Sequence, residues 1–124
     1  MKRVIMIKVI MFMKKRPGMT TSEFRDYYEN NHRVIGEKYL NGFAVKYIRR
    51  FINPLVDRSG NLTDPEYDVL MEVWYPDEET FKACGEKLSE PDIAKEIRED
   101  EEKIFDTRFM RSYIVDEFES ELKI

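Results

Sequence analysis

Cysteine and histidine are nearly missing from this chain, one of each in 124 residues, and each scarcity narrows the chemistry. A lone cysteine, Cys84, excludes an internal disulfide and a cysteine-based structural zinc site and fits a reducing compartment. Flanked by Phe81 and Leu88 in a helical stretch, it reads as a packing side chain rather than a nucleophile. One histidine and no regular carboxylate spacing argue against a dedicated metal site. The five glycines stand singly, so no loop is built to cradle phosphate. Neither sign of charge prevails: 21 basic residues face 25 acidic ones for a net charge of −4, whereas a nucleic-acid surface needs a concentrated basic face. Lys14, Lys15 and Arg16 form one short cluster that reads as a solvated strand end. Long apolar runs are also lacking. Residues 1–13 are interrupted by Lys2, Arg3 and Lys8, are too short to span a membrane, and carry no small-residue cleavage site. The expectation is a single cytoplasmic domain over residues 1–124 with no metal, cofactor, nucleic acid or membrane as partner.

What is present is an ordered alternation of strand and helix signals. Residues 4–13 are β-branched and apolar enough for a buried strand. Pro17-Gly18 makes a turn, hydroxyl residues then cap a helix predicted over residues 21–40, and Gly42 stops it. Residues 43–52 read as a second strand, 54–66 as an unusually long loop, and 67–75 as a third strand ended by Pro76-Asp77. A helical part follows, restarted at Ser89-Glu90-Pro91-Asp92 with Ile93, Ile97 and Ile104 as apolar contacts. Residues 107–118 close the series as a strand. This βαββαβ order predicts an α+β, ferredoxin-like four-stranded antiparallel sheet with helices on one face.

Strand parity says how the other face is used. Ile7, Val9, Met11 and Met13, with Val69, Met71 and Val73, form aliphatic faces that suit the helices. The opposite parity carries Lys8, Ile10 and Phe12, with Leu70, Glu72 and Trp74, and is too apolar to stay in water. A second copy of the chain should cover it, closing an obligate homodimer around a mixed polar and aromatic cavity. Lys8 and Glu72 would then face that cavity, or else be rim charges or pair with each other.

His32 is the only side chain whose ordinary pKa lets it exchange a proton near neutral pH, and it follows Phe24, Tyr27, Tyr28 and Asn31 on the first helix, at or near its last turns. A lone histidine is more often a structural residue than a reactive one. The run from Lys8 through His32, with its Lys-Arg-Pro-Gly turn, Phe24, Tyr28 and Asn31-His32, followed by Tyr47 and by Asp68 with Glu72-Val73-Trp74-Tyr75, resembles the EthD domain family. That resemblance implies a dimeric α+β barrel, a superfamily that includes isomerases, polyketide cyclases, cofactor-free monooxygenases and haem-degrading enzymes, and it marks His32 as the proton-transfer residue. A haem reading is disfavoured because tyrosines and charges dominate the expected cavity.

The expected function is a cofactor-independent lyase or isomerase acting on a small aromatic or enolisable carbonyl compound. His32 would be general acid/base with Glu72 beside it as a second catalytic group. Tyr28, Tyr47, Trp74 and Phe12 would form the substrate wall, and Asn31 and Lys8 would orient the ligand or steady developing charge. The alternative is a non-catalytic binding or accessory protein that supports an oxygenase or degradation pathway. The loop 54–66 should cover a cavity mouth or extend the dimer contact.

Overall fold

The computed structural model describes residues 6–124. The chain runs β1 (Ile7–Met13), α1 (Thr21–Tyr27), a π-helical turn (Tyr28–His32), α2 (Arg33–Leu40), β2 (Lys46–Phe51), β3 (Val69–Tyr75), α3 (Glu78–Leu88), α4 (Pro91–Ile104), a 3-10 turn (Thr107–Phe109) and β4 (Arg111–Val115). The start of the first strand expected at residue 4 lies outside the described residues. The four strands pair antiparallel in the order β2-β3-β1-β4. That is the ferredoxin-like α+β arrangement, in which each helical excursion returns its strand to the middle or edge of one sheet.

Local chemistry sets the boundaries. Gly18, at φ 87, supplies the left-handed conformation of the Pro17-Gly18 turn. Thr20 then caps α1: its hydroxyl accepts from the Glu23 N–H at 3.1 Å, and the Glu23 carboxylate accepts from the Thr20 N–H at 2.9 Å. Residues 21–40 are helical throughout, but not uniformly. The turn Tyr28–His32 is widened, with the Arg33 N–H bonded to the Tyr28 carbonyl five residues back, a local geometry that recurs at functional sites. His32 lies midway along the helical stretch rather than in its last turns, because α2 carries the helix on to Leu40. The second strand starts three residues later than its sequence suggests, because the Phe43 and Ala44 N–H groups bond back to the Leu40 carbonyl and finish the helix end. The last strand is shorter than expected for a similar reason. Asp106 accepts from the Arg108 N–H and winds residues 107–109 into a turn before β4 begins.

The aliphatic strand faces meet the helices as their parity predicts. Met13 and Val69 pack with Phe24, Tyr28, Ile104 and Phe105 in one cluster, and Val73 and Tyr75 pack with Cys84 in a second. Tyr47 and Met71 touch both clusters. Fully burying side chains of this size stabilises by roughly 1.5–3 kcal/mol each. Between the two clusters the packing opens into a cavity. The opposite face of the sheet carries Lys8, Ile10, Phe12, Ile48, Leu70, Glu72, Trp74 and Tyr113 in mutual register; among the described residues no helix packs on it, and Tyr67 and Glu117 reach onto it at Phe12 and Lys8. Loop 54–66 is almost wholly exposed and is braced at its tip by Asp57, whose carboxylate accepts from the Ser59 and Asn61 N–H groups at 2.9 Å each.

Candidate functional site

The cavity between sheet and helices has a volume of about 260 Å3. Its floor is Val9, Met11, Met13, Met71 and Val73 from the central strands, with Tyr47 from β2. Its walls are Tyr28, His32, Ile35 and Tyr39 from the first helical stretch and Leu88, Ile97 and Glu101 from α3 and α4. An apolar chamber with a few convergent polar groups is the usual form of a small-molecule site.

His32 is 9% exposed, and its Nδ1 lies 2.8 Å from Oδ2 of Asp100, itself buried in α4. An ionised carboxylate only accepts, so Nδ1 carries the proton and Nε2 holds the lone pair. Asp100 does not line the cavity whereas His32 does, so the ring reaches the cavity with the edge that Asp100 leaves free. Tyr27 donates from its hydroxyl to Oδ1 of Asp100 at 2.6 Å, which fixes the carboxylate from its other side. Burial and the neighbouring Asp100 push the Tyr27 phenol up to about 12. Tyr27 and His32 are five residues apart, the spacing that the widened turn brings toward one face. The imidazole is further held edge to face against Tyr28 and Phe105, with ring centroids 5.2 and 5.1 Å away.

Burial lowers the His32 pKa below its ordinary value, against the opposing pull of Asp100. The residue is therefore a neutral base at neutral pH, with a carboxylate placed to stabilise the imidazolium once a proton arrives. Glu101 is the second ionisable group on the wall. Its pKa is raised by burial and by the neighbouring Asp100 charge. Tyr28 and Tyr47 join their hydroxyls at 3.3 Å across the cavity. Gly36 makes that possible, since a Cβ there would stand 2.8 Å from the Tyr47 hydroxyl.

The structure brings His32, Tyr28 and Tyr47 together on one cavity and puts the other sequence-derived candidates elsewhere. Glu72 lies on the opposite face of the sheet, ion-paired to Arg50, so the partner of His32 is Asp100 and not Glu72. Strand alternation dictates this: β3 residues facing the helices are 69, 71, 73 and 75, and Glu72 points the other way. Lys8 and Trp74 share the Glu72 face. The Lys8 ammonium sits 3.7 Å from the Trp74 ring centroid and 2.5 Å from Glu117 Oε2, so Lys8 and Glu72 are paired, but not with each other. Phe12 packs against Tyr67 and Tyr113, also on that face. Asn31 is exposed beside the buried His32. Lys8, Glu72 and Trp74 thus lie across the sheet from the chamber that His32 lines, on the face assigned to a second copy of the chain. Loop 54–66 does not reach that chamber either: Pro54, Asp64 and Pro65 border an open, charged groove with Lys14, Lys15 and Arg25.

Sequence reasoning missed Asp100, Glu101 and Tyr27. The signal was available in α4, where Ile93, Ile97 and Ile104 mark an apolar face that passes through positions 100 and 101. An acid on the buried stripe of a helix is the informative exception. Among the described residues no cluster of three or more His, Cys, Asp or Glu side chains could hold a metal ion, and no helix is long and apolar enough to cross a membrane.

Comparison with known proteins agrees with the fold. An ethyl tert-butyl ether D family protein of Bacillus halodurans superposes with a TM-score of 0.63 at 18% identity, covering 92% of this chain and 100% of that one. An EthD-like protein of Ralstonia eutropha gives 0.60 at 17% identity over 89% and 87%. A dimeric protein of unknown function with a ferredoxin-like fold from Bacteroides fragilis gives 0.55 at 13% identity over 91% and 100%. A search of curated proteins finds no match. The model of the EthD domain matches residues 16–108, a span that holds the capped first helix, the His32–Asp100 pair and most of the cavity wall, and the chain belongs to the EthD domain family.

Proposed function

We propose that this protein is a proton-transfer enzyme, a lyase or isomerase that acts on a small aromatic or enolisable carbonyl compound and needs no cofactor for that step. The observation that carries the reading is the buried His32–Asp100 pair at the wall of an otherwise apolar chamber. Nε2 of His32 would take a proton from carbon or oxygen of the substrate. Asp100 would stabilise the imidazolium, and the same nitrogen would return the proton to a second position or to a leaving group. Such a group contributes roughly 10²- to 10⁴-fold. Tyr28 and Tyr47 would donate to the oxygen on which enolate charge develops. A homodimer completes the proposal: Ile10, Phe12, Leu70 and Trp74 stand on the face of the sheet turned away from the helices, and the Bacteroides fragilis relative is described as dimeric.

The test is isotope exchange. Incubated in D2O with 1-tetralone, a neutral bicyclic enolisable ketone, the protein is expected to accelerate deuterium incorporation at the α-carbon, read by mass spectrometry. His32→Gln should lose that acceleration while binding the ketone. Binding without any exchange, across a panel of enolisable ketones, would favour the accessory-protein reading instead.

A further inference from the structure

The chamber has a charge character that the proton-transfer reading does not use. None of the side chains lining it is a lysine or an arginine, and its one carboxylic acid, Glu101, shares the lining with Met, Ile, Leu and Tyr side chains. Three cations beside wall residues are already engaged. Arg49 lies behind Tyr47, 4.9 Å from the ring centroid, but its guanidinium is held by Glu29 at 2.7 and 3.0 Å. Lys38 and the Tyr39 hydroxyl both meet Glu96, and Arg33 meets Glu37 at 3.0 Å. Asp100 stands next in sequence to Glu101 and adds negative potential behind the wall. His32, held neutral by burial, contributes no compensating positive charge. A carboxylate or phosphate ligand would shed its hydration shell without meeting a cation, and would face an acid. A hydroxyl or carbonyl on a ring meets His32 Nε2, the Tyr28–Tyr47 hydroxyl pair and Glu101, each able to exchange a hydrogen bond with it. The volume of about 260 Å3 is that of about nine liquid waters, the bulk of a one- or two-ring compound.

We infer that the chamber selects neutral, hydroxylated or carbonyl-bearing one- or two-ring compounds and rejects organic anions, with Glu101 as the residue that sets this preference. The inference deepens the proposed use of this chamber as a substrate site, but it is a statement about equilibrium binding and stands or falls without turnover.

Two probes that share a ring system separate the cases, 2-naphthol and 2-naphthoate, titrated calorimetrically at neutral pH into the intact protein. The imidazole signals of the single histidine report whether each ligand sits in the chamber. The expected result is saturable binding of 2-naphthol with a shift of the His32 signals, and binding of 2-naphthoate at least about tenfold weaker. Glu101→Gln, nearly isosteric, should bring the two dissociation constants at least about fivefold closer, and Glu101→Asp, which keeps a carboxyl group, should preserve most of the gap. Equal binding of both probes by the parent protein, an unchanged ratio in Glu101→Gln, or no binding of either would overturn the inference. Preference for the naphthol with no isotope exchange on any ketone would instead sink the enzyme reading and leave this one standing.

Discussion

Asp100→Asn is the perturbation with the most specific consequence, because it keeps the side-chain shape while removing the property that orients His32. The carboxylate accepts two hydrogen bonds, from His32 at 2.8 Å and from Tyr27 at 2.6 Å. An amide offers one acceptor oxygen and one donor group. If the oxygen turns to Tyr27, the amide N–H2 faces the imidazole, which must then present a lone pair at Nδ1 and move its proton to Nε2. The base on the cavity side disappears through a change of tautomer, with no loss of packing. If the oxygen turns to His32, the Tyr27 hydroxyl must rotate so that its oxygen accepts from the amide N–H2 instead of donating. Either way both bonds lose their charge assistance, about 1.5–3 kcal/mol together. For a domain of this size that lowers Tm by roughly 5–12 °C. Exchange into the ketone should fall by about 10²- to 10⁴-fold, the full contribution of a positioned base. Binding of 2-naphthol should change little, since Asp100 does not line the chamber. Tyr27→Phe separates the two effects: it removes one donor while the carboxylate still holds His32, so stability drops by about 1 kcal/mol and exchange stays within a few-fold. The reasoning fails if Asp100→Asn exchanges deuterium as fast as the parent protein while His32→Gln does not.

Three further outcomes follow from the same geometry. The His32 pKa is lowered by burial in the folded chain, so the unfolded chain binds the extra proton first and stability falls as pH drops from the ordinary value near 6.5 toward the lower folded value; melting curves from pH 7.5 to 5 should show this component, and His32→Gln should lack it. Gly36→Ala places a Cβ 2.8 Å from the Tyr47 hydroxyl, so the phenol must move and break its contact with Tyr28. A crowding cost of about 1–3 kcal/mol, offset by about 1 kcal/mol of helix propensity, lowers Tm by at most about 8 °C. Affinity for 2-naphthol should nonetheless fall several-fold, and an unchanged affinity would remove Tyr47 from the wall. Sedimentation at micromolar concentration should give twice the chain mass, with Phe12→Glu shifting it to one; a monomeric parent protein would refute the proposed dimer.

The element order was legible in the sequence because strands and helices here obey their simple periods. Val9, Met11 and Met13 alternate with Lys8, Ile10 and Phe12, and Thr20 with Glu23 spells a capping box, so sheet, helix start and helix-facing residues could be read without coordinates. His32 could be singled out because no other side chain in the sequence has an ordinary pKa near neutrality. Its surroundings could not be read that way. The widened turn at 28–32 carries no composition signal, and it is what brings Tyr27 and His32 to one acceptor. Glu72 was attractive because it is an acid in an apolar strand, yet parity alone puts it across the sheet from Met71 and Val73, which line the chamber. Asp100 sits 68 residues from His32 inside a run so charged that one buried acid was camouflaged among solvated ones. Only the apolar stripe of Ile93, Ile97 and Ile104 distinguished it.

The account turns on His32 being a neutral base with its proton on Nδ1, held by Asp100, and its lone pair open to the chamber. Because the chain has a single histidine, 15N-detected NMR of the imidazole across pH reports this residue without assignment ambiguity. The account predicts the Nδ1–H tautomer at neutral pH, protonation at a pH below 6.5, and a shift of Nε2 when 1-tetralone is added. An Nε2–H tautomer, a titration above 6.5, or an imidazole signal indifferent to the ketone would contradict it.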